Sequence, residues 1–149
     1  MIKGVDHIGI TVPDVTAAAA FFELLLGSRP RPAETLSYAH IAGITGYPDA
    51  VIRVAILPVP SSTVVLELIE YLEPPTATVD METFNVGNSH VAFGVDDLDA
   101  ALQRLAAAGV HSRSGGPVEA LEGSLAGARF AYIRGPGGIT VELCEGTRW

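Results

Sequence analysis

A chain of 149 residues with 48% hydrophobic composition holds enough apolar material for one sizeable core, or for two small modules that share one. Nine Lys and Arg stand against 17 Asp and Glu, a formal net charge of −8 with no basic cluster, which excludes a phosphate-coated partner such as DNA or RNA. The richest apolar stretch, VVLELIEY, is short and carries two glutamates, so no run approaches the roughly 20 residues that cross a membrane.

The first predicted element is VDHIGITV, residues 5–12. Its alternation sets Ile8, Ile10 and Val12 on one face and His7, Gly9 and Thr11 on the other, the pattern of a half-buried strand. Asp14 or Thr16 caps the helix that follows through AAAAFFELLL, and Gly27 ends it in a left-handed conformation. A further strand is predicted over LSYAHIAG, residues 36–43, with Tyr38 and His40 on one face. Two more, VIRVAIL at 51–57 and VVLELIEY at 64–71, flank a Pro-Ser-Ser turn.

The plan then repeats. SHVAFGV sends Val91, Phe93 and Val95 one way and His90, Ala92 and Gly94 the other. Asp96 or Asp97 caps a helix whose Leu98, Leu102 and Leu105 fall at helical spacing, and Gly109 ends it. VHSRS, residues 110–114, takes the place of the next strand. ARFAYIR at 128–134 and ITVELC at 139–144 are joined by Gly-Pro-Gly-Gly at 135–138, a strand turn that lacks the following helix of a dinucleotide site. The fold class is therefore α+β: two βαβββ modules, approximately 1–72 and 88–149, joined by 73–87 within a single domain of residues 1–149. One helix per sheet buries the Ile and Val faces. The small residues beside His7 and His90 leave the opposite faces open as a cleft.

Glu67 and Glu142 lie inside predicted strands, where a carboxylate is costly unless it is paired or metal-bound. With His7 and His90 they supply two imidazoles and two carboxylates, a set suited to a divalent first-row ion: Co, Ni, Zn, Mn or Fe. Four such ligands on an octahedral ion leave two positions for substrate oxygens. The competing structural reading has both glutamates pointing outward on edge strands and both histidines as scaffold. Asp6, Glu70 and Glu145 are neighbouring carboxylates, but alternation turns Asp6 away from His7 and Glu70 away from Glu67. Arg29, Arg31, Arg53, Arg113, Arg129 and Arg134 read as solvated surface groups.

HIGITVPDV, ELIEYLEPP, HVAFGVDDLDAAL and RGPGGITVELCE together resemble the vicinal oxygen chelate (glyoxalase, bleomycin resistance, dioxygenase) superfamily, over nearly the whole chain. The resemblance implies paired βαβββ modules around a metal cleft, with His7, Glu67, His90 and Glu142 as ligands. HVAFGVDDLDAAL and ELIEYLEPP are most similar to the methylmalonyl-CoA epimerase branch. The His-Glu-His-Glu set is similar to lactoylglutathione lyases, since the epimerase pattern has glutamine where Glu67 stands. The second acid–base glutamate of that pattern falls on Tyr47, Pro48, Asp49 and Ala50, which leaves Asp49 and His40 as candidates for its role.

The implied activity is metal-dependent isomerisation or epimerisation by enolisation of a small vicinal-oxygen substrate, with Glu142, or else Glu67, as base. Tyr132 and Thr140 orient substrate or pack inward. A lactoylglutathione lyase-like enzyme, an extradiol dioxygenase and a non-catalytic small-molecule or drug-binding protein are the alternatives. Cys144, the single cysteine, cannot form an intramolecular disulfide, and MIKGVDHIGITVPD lacks a signal-peptide pattern, so a cytoplasmic location is expected. A homodimer is a further expectation.

Overall fold

The computed structural model describes residues 1–147. The chain divides into two compact units, Met1–Thr78 and the part from Val79 onward. The first contains β1 (His7–Thr11), α1 (Val15–Leu26), β2 (Glu34–Leu36), α2 (Ala39–Thr45), β3 (Val51–Pro58) and β4 (Val65–Glu73). Its sheet runs β1-β4-β3-β2, with β1 parallel to β4 and the other pairs antiparallel.

In β1 the alternation holds: Ile10 and Val12 beyond it are buried, whereas His7, Gly9 and Thr11 are exposed. Asp14 is the cap of α1, its carboxylate accepting the N–H groups of Thr16 at 2.8 Å and Ala17 at 3.0 Å. Gly27 closes the helix at φ 69°, its N–H donating to Glu23. The stripe Val15, Ala18, Ala19, Phe22 and Leu25 is buried, the spacing of one helix face, and α1 packs on β3 and β4.

The strand expected over residues 36–43 is not formed. Only Glu34–Leu36 pairs with β3, and Ala39–Thr45 is helical. Tyr38 and Ile44 are exposed and only Ile41 is buried, so no alternating apolar face holds the segment in the sheet; Gly46, at φ 75°, donates its N–H to Ala42 and stops the turn. Ile41 packs with Ile52 and Val54, and Ile56 and Ile69 join the same cluster.

The second unit contains β5 (His90–Gly94), α3 (Leu98–Ala107), β6 (Val118–Glu119), β7 (Arg129–Arg134) and β8 (Thr140–Glu145). Its order, β5-β8-β7-β6, again has one parallel pair, β5 with β8. Asp97 caps α3 by accepting the Ala100 N–H at 2.8 Å, and Leu98 and Leu105 are fully buried. The two units are thus similar βαβββ modules with mixed sheets.

Residues 110–114 do not supply a strand: Ser112 makes one bridge to Ile133, and the short strand lies at Val118–Glu119. Gly115, at φ 77°, donates its N–H to Ser112 and turns the chain away before a ladder can extend. Residues 135–138 form the expected strand turn, with the Gly135 N–H on Ile139 and Gly137 at φ 69°. No described helix is long and apolar enough to cross a membrane.

Candidate metal-binding pairs and a cavity in the second unit

The parallel ladders place histidine and glutamate identically in the two units. His7 lies opposite Val65 and Gly9 opposite Glu67; His90 lies opposite Thr140 and Ala92 opposite Glu142. Each imidazole is therefore diagonal to its carboxylate, with a small residue directly across from the glutamate. An ideal Cβ on Gly9 would stand 3.8 Å from Glu67 Oε2, ordinary contact, so alanine is accommodated at that place as it is at Ala92. β4 and β8 are central strands, contrary to the reading of Glu67 and Glu142 as outward residues on sheet edges.

His7 Nε2 is 3.4 Å from Glu67 Oε2, and His90 Nε2 is 3.0 Å from Glu142 Oε2. Two donor atoms about 3 Å apart match neighbouring ligands of one ion with bonds near 2.1 Å. Nitrogen and carboxylate oxygen are the donors such an ion takes. Among the described residues, no three His, Cys, Asp or Glu side chains gather into one metal-binding group; each unit carries a pair.

The surroundings of the two pairs differ. Asp6 does not turn away from His7: its Oδ1 lies 2.8 Å from Nδ1, because the carboxylate at the strand entrance reaches back along the edge. This hydrogen bond, and then the negative charge of Glu67, raise the His7 pKa. Nδ1–H donates to Asp6, which fixes the ring so that Nε2 faces the Glu67 carboxylate. His90 has an aromatic neighbour instead, its ring 5.4 Å from that of Tyr132.

Tyr132 lies directly across the ladder from Glu142, the place that Ile56 holds opposite Glu67. Burial, and then the charge of Glu142, push the Tyr132 phenol up and keep it protonated. A cavity of about 540 Å³ lies over this face, lined by Glu142, Tyr132, Phe130, Phe84 and the ion-paired Arg113 and Glu82. In the first unit the corresponding sheet face carries Ile41 of α2 and its cluster with Ile52, Val54 and Ile69, so that face is partly filled.

Several neighbouring charged residues prove structural. Glu70 and Glu145 accept the first N–H of α1 and α3, from Val15 and Leu98, and pair with Arg53 and Arg129. Arg53, Arg113, Arg129 and Arg134 are thus engaged, not merely solvated. Arg134 donates to Glu82 at 2.6 Å, to the Gly138 carbonyl at 2.7 Å and to Thr140 Oγ1 at 3.2 Å. Thr140 is fully buried, which gives it a packing role. Asp49 is exposed in the turn before β3, and His40 is exposed on α2 with its ring 5.6 Å from Tyr38. Neither makes a described hydrogen bond or ion pair with His7 or Glu67. The sequence reading missed the Arg113–Glu82 pair and Phe84, whose segment lies in the stretch read as a connector. The Pro-Pro pair and the threonines there signal a linker, and only the arginines on later elements reveal its anchoring.

A model of the Glyoxalase/Bleomycin resistance protein/Dioxygenase superfamily matches residues 6–132. A 2-epi-5-epi-valiolone epimerase from Actinomyces sp is 30% identical over 148 residues, covering 93% of this chain and 77% of that protein. Among solved structures, a glyoxalase family protein from Bacillus cereus shares 27% identity at a TM-score of 0.83, over 97% of this chain and 95% of its own. A fosfomycin resistance protein from Listeria monocytogenes, complexed with Mn(II) and 1S,2S-dihydroxypropylphosphonic acid, has the same fold at 18% identity and a TM-score of 0.62, over 99% and 95% of the two chains. The chain belongs to the Glyoxalase/Bleomycin resistance protein/Dioxygenase superfamily.

Proposed function

We propose that the protein is a divalent-metal-dependent epimerase or isomerase that enolises a small ketone carrying a neighbouring oxygen. The observation that carries this reading is the His–Glu pair repeated in one register, His7 with Glu67 and His90 with Glu142. The relative named as an epimerase of 2-epi-5-epi-valiolone supports the reaction type. The four side chains are the proposed ligands of Co, Ni, Zn, Mn or Fe. Bound there, the ion would supply charge stabilisation to an enolate oxygen.

Glu142 is the proposed base for the α proton, with Glu67 the alternative. Glu142 lines the cavity, which places a bound substrate within its reach. Tyr132, protonated and facing the same cavity, donates a hydrogen bond to a substrate oxygen. Asp49 and His40, both titratable and exposed, are the proposed sources of the proton for the opposite face of the substrate. The same reading takes the chain to act as a homodimer in the cytoplasm.

Solvent-deuterium exchange tests the proposal. Metal-loaded protein in D2O is expected to exchange the α proton of hydroxy ketones without consuming oxygen, and His90→Ala is expected to abolish exchange. Tight ligand binding without exchange would favour a sequestering protein, and oxygen incorporation would favour a dioxygenase.

A further inference from the structure

The second-unit cavity has an unusual charge arrangement for a site meant to hold an anion. Of its lining residues, Glu82 and Glu142 are acidic and Arg113 is the one cation among the described residues. That cation is already taken: Arg113 Nη2 lies 3.0 Å from Glu82 Oε2. Glu82 cannot easily swing aside, because Arg134 holds its other oxygen, Oε1, at 2.6 Å. Arg134 in turn is fixed by the carbonyls of Met81 and Gly138 and by Thr140 Oγ1. The carboxylate is a fixed part of the wall, and its charge faces whatever enters.

A phosphate or carboxylate on a ligand would have to draw Arg113 away from Glu82. It would then lie beside a carboxylate that has lost one of its two guanidinium partners, a like-charge juxtaposition that disfavours it. A hydroxyl meets no such penalty: each Glu82 oxygen accepts one guanidinium N–H and keeps a lone pair that can accept from an alcohol. Phe84 and Phe130 add apolar surface for the carbon face of such a molecule.

We infer that Glu82, clamped between Arg113 and Arg134, is a specificity-determining residue that restricts this cavity to neutral hydroxylated ketones and turns away their phosphorylated or carboxylated counterparts. The inference rests on the enolising activity proposed above for the class of reaction, but the charge selection is a property of the cavity itself. It also disfavours CoA esters and glutathione conjugates, whose phosphates or carboxylates would need a free cation.

The test uses a matched pair of ketoses, D-xylulose and D-xylulose 5-phosphate, with the full-length metal-loaded protein. Binding is followed by backbone amide NMR at Glu82, Arg113 and Phe84, and reaction by loss of the C3–H signal in D2O. D-xylulose is expected to bind at least about tenfold more tightly than its phosphate. Glu82→Gln, which frees Arg113 from its counter-ion, is expected to erase or reverse that preference. Arg113→Gln, which leaves the carboxylate held by Arg134, is expected to sharpen it. Equal responses, preference for the phosphate in the wild-type protein, or no perturbation of these amides by either ketose would overturn the inference. Selective binding of D-xylulose without C3–H exchange would uphold the inference while counting against the proposed reaction.

Discussion

Glu70 and Glu145 hold the same place in the two units. Each accepts the first N–H of its unit's helix, from Val15 at 3.1 Å and from Leu98 at 3.2 Å. Each also accepts from the arginine directly across its antiparallel ladder, Arg53 at 3.2 Å and Arg129 at 3.0 Å. A carboxylate at a helix N-terminus meets both the free N–H and the positive end of the helix dipole. The device pins helix to sheet on the face opposite the His–Glu pair, which keeps β4 and β8 in the register that sets Glu67 and Glu142.

Removing these carboxylates should weaken the units unequally. Glu70→Ala leaves Arg53 with the long hydrogen bond to Thr16, at 3.5 Å, and the more distant charge of Asp14, and is expected to cost about 1–3 kcal/mol. Glu145→Ala should cost less, because Arg129 retains Asp99 at 2.7 Å. Urea unfolding of the two variants beside the wild-type protein measures the difference.

The cap of α1 gives a pH dependence with a definite sign. The N–H groups of Ala17 and then Thr16 hold the Asp14 carboxyl below its ordinary value of 3.8. A depressed folded pKa gives stability that is fully present above 3.8 and lost as pH falls through the folded value. Asp14→Asn keeps an acceptor but does not titrate. Melting temperatures measured from pH 7 to 2 should therefore show the wild-type advantage shrinking only in the acid range below about 4.

Cys144 should be inert in the folded protein. It is buried, and burial, then the charge of Glu142, push its thiol up to about 11, so almost no thiolate is present at pH 8. A disulfide reagent is expected to label it only after denaturant is added. Rapid labelling of the native protein would contradict the packing of β8.

Tyr132→Phe separates a hydrogen-bonding role from a packing one. The phenol faces the cavity beside His90 and Glu142, while the ring remains in the variant. Loss of a donor to developing negative charge is expected to lower kcat of exchange by about 10²-fold with little change in melting temperature. A fall in stability with unchanged kcat would mark the residue as packing.

Much of this arrangement was legible in the residues because its causes are local. Alternation in HIGIT and HVAFG, the caps Asp14 and Asp97 and the stop at Gly27 each rest on a few adjacent residues. The α2 helix was not, because its seven residues bury only Ile41 and a short apolar run fits strand or helix equally. Nor was the fate of the arginines: Arg53 meets Glu70 and the start of α1 only once three separate elements are in register. Arg134 similarly finds Glu82 across 52 residues of chain. The His–Glu pairs were legible because the repeat shows each one twice.

The most direct test of the central claim is anomalous diffraction at the metal edge from crystals of the Mn(II)-loaded protein. A peak is expected with His7 and His90 nitrogen and Glu67 and Glu142 oxygen at about 2.0–2.3 Å. A fully occupied metal peak held by other side chains, with both His–Glu pairs free of metal, would contradict it.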